Sequence, residues 1–139
     1  LLFCGLFVVL RGVEDAHLVE GLVATIGSVG SGGNDPATLG WLAVVASVLS
    51  NLISNVPAVL LLAPVAAALS GEKAWLILAS SSTLAGNATI LGAAANLITA
   101  EVARAHGYEF SWLRFTKIGL PVAAVTLALS TVAVAYFPI

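Results

Sequence analysis

Three stretches of this chain, 36–71, 74–100 and 118–139, contain no Asp, Glu, Lys or Arg. A bilayer asks for about 20 apolar residues per helical crossing, so each stretch is long enough to enter one. Only 9% of the residues are charged and 60% are hydrophobic, whereas a soluble domain carries about a quarter charged residues. The chain is read as an all-α integral membrane protein. With a net charge of -2 and no basic stripe interleaved with aromatics, it is not expected to bind nucleic acid. Cys4, in an apolar run, reads as a small buried hydrophobe.

Two neutral polar islands interrupt these stretches. The first is Ser50-Asn51-Leu52-Ile53-Ser54-Asn55-Val56-Pro57; the second runs from Ser80 through Thr83, Gly86, Asn87 and Thr89 to Ala95-Asn96. Each unsatisfied polar group in hydrocarbon is costly, so broken backbone survives there only when packed in protein or lining a wet cavity. Paired, interrupted apolar segments point to a binding site at the membrane midplane. The candidate binding residues are Ser50, Asn51, Ser54, Asn55, Asn87, Thr89, Gly92, Ala95 and Asn96. In a helix persisting to the tip, Ser50-Asn51 and Ser54-Asn55 would stack one turn apart on one face. Val56-Pro57 would then open the returning arm, whose helix start favours an anion.

The carbonyl end of the arriving arm offers a place for sodium, near Ser54, Asn55 and Ala94. A proton relay wants a buried carboxylate, and neither island has one. Neither a nucleophile with its base nor a phosphate-cradling loop appears, so no enzyme, cofactor or resident metal is expected. His17 and His106 lack metal-ligand partners. The competing reading is that the small polar residues only fasten helices together, at about 0.6 kcal/mol per contact.

Residues 1–27 are expected to end a membrane helix and continue as an interfacial amphipathic helix carrying Leu18, Val19, Leu22, Val23 and Ile26 on one stripe. Residues 28–36 read as a linker closing in Asn34-Asp35-Pro36, a helix start with Asp35 as cap. Residues 37–69 offer two arms of about a dozen residues, each roughly 18 Å against a ~30 Å core. Such arms are too short to cross, so a re-entrant hairpin with 50–57 at its tip is expected. Residues 72–105 read as a broken transmembrane helix, 106–117 as a loop and 118–139 as the last span. Glu14, Asp15, Glu72 and Lys73 are expected to be solvated. Arg104, Arg114 and Lys117 place the loop in the cytoplasm and the C-terminus outside. The chain opens within an apolar run and lacks methionine, so a longer protein is expected.

The runs LSNLISNVPAVLLLAP and STLAGNATILGAAANLI, preceded by LLFCGLFVVLRGVEDAHLVEGL, resemble the ion transporter superfamily, especially its arsenite and anion permease branch, related to the divalent anion:sodium symporters. The resemblance implies the second half of an inverted-repeat transporter, with an N-terminal repeat elsewhere in the same protein and a homodimer as partner. It matches Ser54-Asn55 to the symporters' Ser-Asn hairpin signature and the 92–96 segment to their substrate-side loop. Val56 stands where the symporters have threonine, and alanines where they have Thr-Pro-Pro, which argues against a dicarboxylate. The expected function is secondary active transport of a small inorganic anion or oxyacid of the arsenite type in a bacterial or archaeal plasma membrane, with sodium or a proton as coupling ion. Sodium/proton exchange, dicarboxylate:sodium symport and a non-transporting membrane subunit are the alternatives.

Overall fold

The computed structural model describes residues 35–137 apart from Ser70 and Phe110, and before them only Gly5, Val8, Arg11, Gly12, Asp15, Glu20, Gly21 and Ala24. The apolar stripe expected at 18–26 and the linker before residue 35 lie outside the described residues, as do Glu14 and His17, while Glu20, Gly21 and Ala24 of the expected interfacial helix are helical. The rest is all-helical: α1 (Pro36–Ile53), α2 (Asn55–Ala68), α3 (Glu72–Ala85), α4 (Ala94–Ala105) and α5 (Trp112–Tyr136), with a 3-10 turn at Ile90–Gly92 between α3 and α4. Both α1 and α5 are long and apolar enough to cross a membrane, by length and composition.

Asp35 starts α1 as the sequence suggests. Its carboxylate accepts from the Ala37 N–H at 3.3 Å, and Pro36 stands where no N–H is needed. The helix then runs for 18 residues, or about 27 Å, and so exceeds the dozen-residue arm expected. Ser50 and Asn51 stay helical because their side chains find carbonyl partners on α3, which removes the local competition that such residues offer a helix. The Ser-Asn pairs accordingly do not stack on one helix: α1 ends at Ile53 and α2 begins at Asn55, ahead of the expected Val56-Pro57.

The last helix also differs from its expected start at 118. It begins at Trp112, so Arg114 and Lys117 ride on its first turns, where long cationic side chains reach the interface from a helix. The polar loop is correspondingly shorter.

Leu39, Leu42, Leu62, Val65, Ile77 and Leu78 form one buried cluster across α1, α2 and α3, with Ala43, Ala46, Ala66 and Ala74 between them. Lipid is as apolar as leucine, so close approach of small residues and tight packing, rather than burial from water, hold such helices. The early residues of α1 meet the late residues of α2 in this cluster, which makes the pair an antiparallel hairpin. α3 runs alongside α1 in the same direction, bringing its C-terminal end to the hairpin tip.

Helix α5 lies antiparallel to α3 and is pinned at both ends. Near its start, Gly119 packs so closely on the backbone of 87–88 that a Cβ would overlap the Asn87 carbonyl oxygen. At its far end the Ala135 carbonyl accepts from Lys73 Nζ at 2.9 Å. Lys73 is therefore not the solvated charge the sequence suggests, because the C-terminal carbonyls of a helix lack backbone partners and attract a cation. Asp15 lies 3.8 Å from Arg11, both side chains exposed.

Candidate functional site

At the C-terminal end of α3 the regular i+4 pairing stops, and the carbonyls of Thr83, Leu84 and Ala85 accept i+3 N–H groups from Gly86, Asn87 and Ala88, which leaves the Ser82 carbonyl and the second lone pair of Ala85 for other donors. Asparagine and serine side chains from the hairpin take that place. Ser50, fully buried, donates from Oγ to the Ser82 carbonyl at 2.7 Å. Asn51 donates from Nδ2 to the Ala85 carbonyl at 2.9 Å and to Ser47 within α1 at 3.1 Å, while its Oδ1 accepts from Thr89 Oγ1 at 3.0 Å. The Asn55 carboxamide turns its nitrogen toward the carbonyls of Gly92 and Ser82, each 3.1 Å away, and against Ser50 Oγ, the orientation its neighbours require. Four elements, α1, α2, α3 and the 3-10 turn, thus meet through neutral hydrogen bonds.

The break has its own fastening. Thr89 Oγ1 accepts from the Gly92 N–H at 2.9 Å, which closes the 3-10 turn. Asn96 reaches back from α4 to donate to the carbonyls of Gly86 at 2.8 Å and Thr89 at 3.2 Å. Gly92 is buried, and a Cβ there would crowd Asn51 Oδ1 and the Gly86 carbonyl. Only glycine lets the turn sit against the tip.

The structure therefore brings Ser50, Asn51, Asn55, Thr89, Gly92 and Asn96 together and leaves three candidates apart. Asn87 is exposed and lines a separate groove against α5. Ala95 is exposed at the start of α4, and Ser54 is exposed at the tip. Ala94, placed with Ser54 and Asn55 in the expected sodium position, is also exposed. Sequence reasoning missed the backbone carbonyls of Ser82 and Ala85 as the anchors; the signal for them is the end of a helix at Gly86, where the pairing tightens to i+3, as in Ala88 N–H to the Ala85 carbonyl, and leaves room for side-chain donors.

Ser54 has φ 76° and ψ 159°, a region otherwise nearly confined to glycine that costs about 1–3 kcal/mol. Ser54→Gly is expected to raise unfolding stability by about 1 kcal/mol after the glycine's extra chain entropy is subtracted. Ser54→Ala keeps the strain and gains nothing. Equilibrium unfolding of the two variants checks this, and equal stabilities would contradict it.

No side chain caps the start of α2 or of α4. The first N–H groups of each helix, at Asn55 and Val56 and at Ala94 and Ala95, have no intrahelical partner. The Asn55–Gly92 contact ties the two starts to one another. No ionisable side chain stands between 50 and 57 or between 80 and 96.

Apolar helices of membrane length, with a hairpin whose tip is fastened to a helix break, are those of a membrane protein segment, and the proteins it resembles are named as transporters. The profile of the citrate transporter family matches residues 1–85, which takes in the hairpin and α3. The chain belongs to that family. It is 34% identical over 140 residues to a protein of Mycobacterium tuberculosis strain CDC 1551 named only as an uncharacterized transporter, covering 95% of this chain and 32% of that one. It is 36% identical over 137 residues to the silicon efflux transporter LSI3 of Oryza sativa subsp. japonica, covering 91% of this chain and 28% of that protein. Identity to the arsB-named transporter of Dictyostelium discoideum is 34% over 124 residues, with 87% of this chain and 22% of that one covered. The chain spans about a third or less of the curated relatives it matches. No solved structure matches it.

Proposed function

We propose that this chain supplies half of the substrate site of a secondary active transporter for a small inorganic anion or oxyacid, of the arsenite type. One observation carries the reading: two uncapped helix starts tied together at Asn55 and Gly92, with no ionisable side chain beside them. Such starts present N–H groups and the positive end of a helix dipole to an anion. Neutral donors suit a weakly charged or neutral oxyacid, and a relative named for silicon efflux supports that class. In this reading the α1–α2 hairpin is re-entrant and α3, the break and α4 make one crossing. α3 has 14 residues, or about 21 Å, and stops short of the ~30 Å core level with the tip. The N-terminal repeat supplies the other wall, the carbonyl end of α1 near Ser54 holds a coupling sodium, a proton being the alternative ion, and the 106–117 segment faces the cytoplasm of a bacterial or archaeal cell.

A carboxylate substrate is the second reading, favoured by the description of the family profile. Flux assays on the full-length protein separate the two: arsenite transport is expected to fall about tenfold in Asn55→Ala, the equivalent of one lost hydrogen bond, and in Asn96→Ala. Full arsenite activity in both variants removes the site assignment, and citrate flux without arsenite flux selects the second reading.

A further inference from the structure

Outside the tip and break network, a groove of about 570 Å³ lies between the break and the first turns of α5. Its walls combine Asn87, Glu109, Ser111 and Arg114 with the apolar side chains of Ile118 and Val122. Ser50, Asn51, Asn55 and Asn96 are not among its described lining residues. Glu109 and Arg114 face this one groove, yet among the described residues neither side chain makes an ion pair or hydrogen bond. The groove also straddles a boundary in the chain. Glu109, Arg114 and Lys117 carry charge within 109–117, interleaved with aromatic residues, and from Ile118 onward α5 is uncharged, with Ile118 71% and Val122 49% exposed.

We propose that this groove binds a phospholipid whose headgroup carries both a phosphate and a primary ammonium, a lipid of the phosphatidylethanolamine class. Charge complementarity carries the assignment. Arg114 offers a planar fork of donors suited to a phosphate, and Glu109 offers a carboxylate to the ammonium. Ser111 Oγ and the Asn87 amide oxygen accept further N–H groups, which a quaternary choline headgroup does not have. A glycerol headgroup has no cation to set against Glu109, so its phosphate leaves the occupied groove with an uncompensated negative charge. The acyl chain continues along Ile118 and Val122, where the helix enters hydrocarbon. Asn87, offered by its place in the second island as a substrate ligand, becomes a lipid contact on the outer side of the break. This inference rests on the membrane placement of α5 and not on the substrate of the transporter.

The test uses the full-length protein extracted in mild detergent, exposed to equal amounts of phosphatidylethanolamine, phosphatidylcholine and phosphatidylglycerol and read by native mass spectrometry. Retention of the ethanolamine lipid is expected to exceed that of either competitor by about tenfold, the discrimination of one charge-assisted hydrogen bond. Glu109→Gln is expected to bring the ethanolamine and choline lipids level, and Arg114→Gln to reduce retention of all three. Both side chains are exposed, so the fold is not at stake, and unchanged thermal unfolding verifies that. Equal retention of the three lipids by the wild type, wild-type selectivity in both variants, or no retained lipid because another segment of the protein fills the groove would each overturn the proposal.

Discussion

Gly119→Ala is expected to destabilise the protein by about 3 kcal/mol, the upper end of ordinary overpacking, because the added methyl overlaps the Asn87 carbonyl oxygen and lies against Ala88. Both obstacles are backbone, so no flexible side chain can move aside. α5 must lift from the break or the break must shift, and with it the carbonyls that Asn96 holds. Gly40→Ala is the control. It lies within α1 with nothing near a Cβ, so it is expected to stabilise by about 0.5–1 kcal/mol through helix propensity. Equilibrium unfolding of the full-length protein in detergent compares the two, and a neutral Gly119→Ala would show that α5 does not pack on the break.

Asn51→Asp is expected to be worse than Asn51→Ala. Truncation leaves Thr89 Oγ1 without its acceptor and removes the donor to the Ala85 carbonyl, which costs about 1–3 kcal/mol. Aspartate keeps the shape but turns an acceptor toward the carbonyls of Ser47 and Ala85. It must repel them or take up a proton, and an uncompensated buried charge costs about 3–5 kcal/mol. Transport is expected to fall with stability in both variants, since Gly92 rests on Asn51 Oδ1. If aspartate were tolerated better than alanine, the amide would not be a donor to the helix end.

Much of the architecture was legible because charge is so scarce. The uncharged stretches hold α1, α2 and most of α5, Asp35-Pro36 marked the start of α1, and Gly86 stood where α3 stops. Residues 50–57 and 80–96 stand out as polar islands in apolar surroundings, and the structure brings Ser50, Asn51, Asn55, Thr89 and Asn96 together. What sequence could not show was the partner of each group. Ser50 and Asn51 read as groups offered to a ligand, yet their donors go to carbonyls more than thirty positions away, which keep them helical. Asn87 and Asn96 looked equivalent, but their positions about the break send one to α5 and the other into the network. Lys73 read as a solvated turn residue because its acceptor, Ala135, is 62 positions away. The left-handed φ at Ser54 carries no glycine to announce it.

The account depends on the tip and the break being one polar unit. A double-mutant cycle between Asn51→Ala and Thr89→Val, measured by equilibrium unfolding of the full-length protein, tests that most directly because their side chains bond across the join at 3.0 Å. The expected coupling is about 1 kcal/mol, and effects that add to within about 0.3 kcal/mol would mean that the two segments do not touch.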